Sequence, residues 1–197
     1  IVGNKPSFEN PIFEPYSRGL HMNHYIYASD NKINIDKNGD TDKSLWFFNA
    51  PSKFLGNMGI AYGGFIQFSI SIFAGDVTKL NYGKKYNLIE LECARCGVTI
   101  VYPYSKYKFK NDIALFQIPL LETKGWLKDP HNSLLSWNPP TKCDFLQVLS
   151  NLSAFRILGD VTTWYETIAL DNVFIINTRK YIPRCAFARP DASICTC

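Results

Sequence analysis

Two imidazoles at i and i+3, His21 and His24, and two thiols at the same spacing, Cys93 and Cys96, are the residues of this chain with the plainest chemistry. Brought together, they would offer two nitrogens and two sulfurs to a tetrahedral zinc ion. The competing use of the thiols is a bond to each other. Leu88 to Glu92 and Val98 to Tyr102 form a candidate hairpin around Cys93-Ala94-Arg95-Cys96-Gly97, and a two-residue loop would set the cysteines opposite one another within bridging distance. Zinc thiolates suit an oxidising compartment poorly. The six cysteines, Cys93, Cys96, Cys143, Cys185, Cys195 and Cys197, point to a secreted, disulfide-bonded molecule whose connectivity the spacing alone does not fix.

Oxygen donors come next. Asp36-Lys37-Asn38-Gly39-Asp40-Thr41-Asp42 places ligands at alternate positions, as the first half of an EF-hand loop does. The second half is missing, because Thr41 stands where that loop needs glycine and the bidentate acid position falls on Phe47. Asp36, Asn38 and Asp40 are therefore candidate calcium ligands in a stretch that otherwise reads as a solvated loop. Tyr102, Tyr104, Lys106, Lys108 and Lys110 share a face if their segment is extended. Rings beside ammonium groups could stack on a sugar and neutralise a sulfate or carboxylate; a loop of solvated lysines is the plainer alternative. Asn151-Leu152-Ser153 is a glycosylation sequon.

None of this amounts to an enzyme. Ile1-Val2-Gly3 matches the new N-terminus of an activated trypsin-like protease, yet His21, His24 and His131 lack an Ala-Ala-His-Cys context and no Gly-Asp-Ser-Gly-Gly follows. A triad needs all three partners. The carboxylates are scattered and no phosphate-binding loop exists, so the expectation is no catalytic residue and no cofactor beyond calcium. A net charge of +4 is a weaker basic footprint than nucleic acid usually requires. No apolar run approaches the roughly 18 residues of a membrane span. Without an initiating Met or a basic-then-apolar leader, the chain reads as a processed piece of something longer.

The elements that must position these groups are mostly strands. A chain of 197 residues, 46% hydrophobic and 15% aromatic, suits one large β domain. From Phe65 to Phe73 the alternation is strict, with Ile66, Phe68, Ile70 and Ile72 on one side and Gln67, Ser69 and Ser71 on the other, which predicts a half-buried antiparallel strand. Further strands are expected at Tyr25 to Tyr27, Ala154 to Leu158 and Thr167 to Ile176, with a short aromatic run at Trp46 to Phe48. Another runs from Ile113 to Leu121, where Pro119 cannot donate to a ladder and so belongs at an edge or an end. Thr141-Lys142-Cys143-Asp144 spells a capping box for one helix ending near Ser150, with Phe145, Leu146, Leu149 and Leu152 on its apolar stripe.

The spelling of two blocks says more than their period. Trp46-Phe47-Phe48-Asn49-Ala50-Pro51-Ser52-Lys53-Phe54-Leu55-Gly56 and then Ala61-Tyr62-Gly63-Gly64-Phe65 resemble the core signature of the laminin IV type A (laminin B) domain family. Phe145 to Ile176 resembles its closing segment, with a short helix, an Asn-Leu-Ser and the strand motif Leu170-Asp171-Asn172-Val173. Glu122 and Trp126 match an acid and a tryptophan of the family, and Cys195-Thr196-Cys197 resembles its exit into an epidermal-growth-factor-like module. The likeness covers about the last three quarters of the chain.

What the resemblance implies is an all-β fold, an antiparallel jelly-roll-type sandwich with one short helix. Residues 1–44 would be N-terminal strands and loops of the same domain, 45–184 its core, and 185–197 the cysteine-containing exit. Asp171 would either help hold a structural calcium or cap its strand, and Asn151 would carry a glycan. The implied function is that of an extracellular spacer and protein-interaction surface in a basement-membrane or cell-surface glycoprotein. Its partners would be matrix or cell-surface proteins within a larger modular or filamentous assembly. The alternative, from another class, is a lectin-like jelly roll for acidic or sulfated glycans.

Overall fold

The computed structural model describes residues 25–29, 46–74, 87–104, 113–132, 134–161 and 166–177. The alternating segments become strands β1 (Ile26–Ser29), β2 (Phe47–Asn49), β3 (Phe65–Ala74), β4 (Asn87–Cys93), β5 (Val98–Pro103), β6 (Ile113–Pro119), β8 (Ala154–Leu158) and β9 (Thr167–Ile176). A two-residue strand β7 (Leu127–Lys128) and the helix α1 (Lys142–Ser150) complete the set. All pairings are antiparallel, in one sheet of order β1-β9-β3-β6 and a second of order β2-β8-β4-β5-β7. With the short β7 set aside, first pairs with last and third lies between last and sixth, facing second, next-to-last, fourth and fifth. This is the strand order of a jelly roll.

The core lies between the sheets. Ile66, Phe68, Ile70 and Ile72 of β3 point into it, and Phe68 stacks on its cross-strand partner Phe116 at 4.8 Å between ring centroids. Ser69 and Ser71, expected on a solvent face, are buried as well. The alternation identifies two faces of β3 correctly, but on the hydroxyl face larger cross-strand partners, Leu115 and Asp171 beside Ser69, flank the small side chains. Pro119 closes β6, the outermost described strand of its sheet, where its missing N–H interrupts no ladder.

The β4–β5 hairpin departs from expectation in its loop. Cys93 pairs across the ladder with Val98, and Ala94–Cys96 form a 3-10 turn that Gly97 closes at φ 63°. The cysteines are therefore not cross-strand neighbours. They are still joined by a disulfide, with their Cα atoms 5.2 Å apart, because the tight turn brings Cys96 back over Cys93.

The helix starts as its residues dictate. The Thr141 hydroxyl accepts from the Asp144 backbone N–H at 3.1 Å, and the Asp144 carboxylate accepts from the Thr141 N–H at 3.0 Å. The Lys128 ammonium lies 2.7 Å from the other Asp144 oxygen and ties β7 to the helix. Burial pushes the Asp144 carboxyl up, but the hydrogen bonds from Lys128 and Thr141 and the Lys128 charge outweigh it and hold the pKa below its ordinary value. A depressed folded pKa stabilises above the unfolded value, and that stabilisation is lost as pH falls through the folded one. Asp144→Asn should therefore lower stability by about 1 kcal/mol near neutral pH. Urea midpoints for the two proteins should differ at about pH 7 and converge as pH falls through the depressed folded pKa of Asp144, below the ordinary carboxylate value.

Candidate interaction cleft

At the edge where β1 and β9 of one sheet face β2 and β8 of the other, the sandwich opens into an apolar cleft of about 360 Å³. Two local features shape its mouth. On one side the Ala50 N–H donates to the Phe155 carbonyl at 2.9 Å, and then Pro51, with no N–H, takes the chain out of the sheet. A 3-10 turn over Ser52–Phe54 brings Phe54 back, edge-on to Phe155 at 6.3 Å. On the other side β9 carries a bulge: Gln67 pairs with Phe174 but Ser69 with Asp171, so one extra residue is accommodated. Asn172 takes the left-handed conformation there, at φ 53°, and the Asp171 carboxylate accepts its backbone N–H at 2.6 Å.

Phe48, Phe155, Ile157 and Leu170 form a buried floor, and Ile26 lies half exposed at the margin. Polar groups are confined to the rim. Asn49 and Asn172 are exposed, Asp171 lies on the rim with one carboxylate oxygen bonded to the Asn172 N–H, and the Lys53 ammonium sits 5.1 Å over the Phe54 ring. A concave apolar floor with a few polar groups around it is suited to gripping an apolar side chain. Among the described residues no cluster of three or more His, Cys, Asp or Glu side chains could hold a metal.

The other candidate residues fall in different places. Asp171 acts as the local cap of the β9 bulge, and Asp36, Asn38 and Asp40 lie outside the described residues. The Cys93–Cys96 bond leaves neither sulfur as a thiolate for zinc, and His21 and His24 also lie outside the described residues. Cys143, in the first turn of α1, is disulfide-bonded, whereas Cys185, Cys195 and Cys197 are not among the described residues. Tyr102 packs edge-on against Trp126 at 5.3 Å and Tyr104 packs partly buried on the core; Lys106, Lys108 and Lys110 fall outside. The sequon is built into the fold, since the Asn151 amide donates to the Gln147 carbonyl and the Ser153 hydroxyl donates to the Glu92 carbonyl.

The two blocks of signature residues thus meet in space. Residues 48–54 and 170–173 form opposite lips of the cleft, although more than a hundred positions separate them. Elsewhere Tyr62 donates to the Glu122 carboxylate at 2.7 Å, and the Trp126 indole N–H donates to the Pro119 carbonyl at 2.7 Å. The sequence profile of Laminin B (Domain IV) matches residues 47–183, most of the chain. The chain belongs to the laminin B (domain IV) family. Among solved structures, the L4b domain of human laminin alpha-2 superposes with a TM-score of 0.57 at 16% identity, over 76% of this chain and 76% of that one. At that identity the likeness is one of fold, and it agrees with two antiparallel sheets and a single helix. The domain IV profile begins at the second strand, so β1, which forms part of the cleft wall, precedes the matched region.

Proposed function

We infer that this chain is a rigid spacer and protein-interaction surface within a laminin-like glycoprotein of the extracellular matrix or cell surface. Its family membership carries the coarser part: laminin B domains are extracellular, structural and non-enzymatic modules. The single observation that supports the spacer role is the continuity of the core, in which the ten-residue strands β3 and β9 pair along most of their length beneath the inter-sheet packing. An intramolecular disulfide at the β4–β5 tip fits passage through an oxidising compartment. The cleft is the surface we assign to protein contact.

A spacer must open as a unit. Hydrogen exchange followed by mass spectrometry should find the β3 and β9 amides exchanging only through global unfolding, with the same opening free energy as the domain. Opening of β9 with β3 still protected would remove the spacer reading. The glycan-binding alternative is less well supported, because the Tyr102 ring is already engaged with Trp126. Salt-sensitive retention on a sulfated glycan, lost when Lys106, Lys108 and Lys110 are replaced together, would favour it instead.

A further inference from the structure

The cleft has a counterpart on the same molecule. After β7 the described residues 129–132 and 134–138 lead away from the sheet and back to it, where the Lys128 N–H donates to the Asn138 carbonyl at 2.8 Å. Two side chains and one backbone carbonyl hold the described backbone of this loop: the His131 N–H bonds to the Asp129 carboxylate at 2.7 Å, the Leu134 N–H to the Asn132 side chain at 2.9 Å, and the Leu135 N–H to the Asn132 carbonyl at 3.0 Å. What this framework holds outward is apolar. Leu134 is 91% exposed, Leu135 57% and Trp137 40%. A soluble surface rarely gathers three such residues in one loop without covering them with something.

Loop and cleft sit at opposite edges of one sheet. In the order β2-β8-β4-β5-β7 the cleft lies at the β2–β8 side and the loop follows β7, four inter-strand steps away, about 19 Å at the usual spacing. The projection therefore lies far from the cleft of its own chain, but another copy's cleft is open to it. One pair of charges also matches. The loop base carries Asp129 and His131, 3.9 Å apart, and the cleft rim carries Lys53 and Asp171. A seated loop can thus face the Asp129 carboxylate to the Lys53 ammonium, with the His131 ring N–H available as a hydrogen-bond donor to Asp171.

We propose that this domain associates with a second copy of itself head to tail, by seating Leu134, Leu135 and Trp137 of one copy in the apolar cleft of the next. The contact is heterologous, so each dimer still offers one free loop and one free cleft, and association proceeds past the dimer. It is also small. A single loop in a single cleft falls well below the roughly 1,000 Å² of a stable interface, so the dissociation constant should be on the order of 0.1–1 mM. Such an affinity counts only where copies are held at high local concentration. This association goes beyond the spacer role, which stands or falls separately on hydrogen exchange.

The test is complementation between two defective variants of the full chain. Leu134→Asp with Leu135→Asp spoils the loop, and Ile26→Arg spoils the margin of the cleft, where that side chain is 41% exposed. Both changes are at exposed positions, so circular dichroism should give unchanged folds. Sedimentation velocity from about 0.02 to 1 mM should show the parent growing beyond dimers without a plateau. Each variant alone should associate at least tenfold more weakly. Mixed together, they should form a dimer and stop, because one intact loop then meets one intact cleft. A parent that stays monomeric throughout overturns the proposal, as does a dimer that plateaus and is not restored on mixing, which would signal a two-fold contact. Loop-dependent sedimentation of the monomer with phosphatidylcholine vesicles, without self-association, would overturn it in favour of a lipid surface.

Discussion

Gly64→Ala is expected to remove about 4 kcal/mol or more of stability, a large share of the roughly 5–15 kcal/mol that folded domains possess. The cause is space rather than dihedral freedom. Gly64 lies just before β3, where its carbonyl accepts from Leu120 at 2.9 Å while the end of β9 crosses close by. A methyl group there would overlap the Ile176 carbonyl oxygen and stand 2.9 Å from that of Ala61. Both neighbours are backbone, so no side chain can swing aside, and the ends of three strands would have to separate. Gly56→Ala provides the control. Its glycine has φ 87° with open space around the missing Cβ, so only dihedral strain is added, about 1 kcal/mol. Equilibrium urea denaturation should place the two variants several kilocalories apart; equal midpoints would show that the β3–β9 junction yields without cost.

Trp126→Ala should be nearly as damaging, at about 3–5 kcal/mol. The indole is fully buried, edge-on to Phe145 of the helix at 5.3 Å and to Tyr102 of β5 at 5.3 Å, and its N–H donates to the Pro119 carbonyl. One side chain therefore joins α1, β5 and the end of β6. Truncation leaves a large cavity and a carbonyl without its partner. Trp126→Phe separates the two effects, because it keeps most of the volume and loses the hydrogen bond, at an expected cost of about 1–2 kcal/mol. If the phenylalanine variant were as unstable as the alanine one, the hydrogen bond would outweigh the packing.

Much of this fold was legible because each strand carries its own period. Ile66 to Ile72 announce an inward face residue by residue, Pro119 marks an edge strand's end, and Thr141 with Asp144 fixes the first turn of the helix. Which strand lies beside which came from the resemblance to laminin IV domains, since no local pattern in β1 states that its partner is β9. The two residues of β7 are too short to show a period at all. The burial of Ser69 and Ser71, and the 3-10 turn that replaces a two-residue hairpin, depend on neighbours distant in sequence or on backbone geometry that Ala94-Arg95 does not advertise.

The cleft was illegible for the same reason. Residues 49–54 read as a strand exit and residues 170–173 as a strand, and nothing in either stretch points to the other. What turns them into one site is the jelly-roll order, which places β2 and β9 at the same open edge of the sandwich. The residues singled out for their chemistry also make local structural contacts where they are described: Asp171 at the bulge, Asn151 at the helix end, Cys93 and Cys96 in their bridge.

The two outer strands of the five-stranded sheet are three and two residues long. Short borders of this kind offer few unpaired peptide groups to a passing β-strand, so that sheet gives poor templates for amyloid-like stacking. Among the described residues the longer border strand is β6 of the other sheet, seven residues ending in Pro119. Lengthening β7 by a few alternating residues, harmless as it would look for stability, would turn that inert border into an aggregation seed.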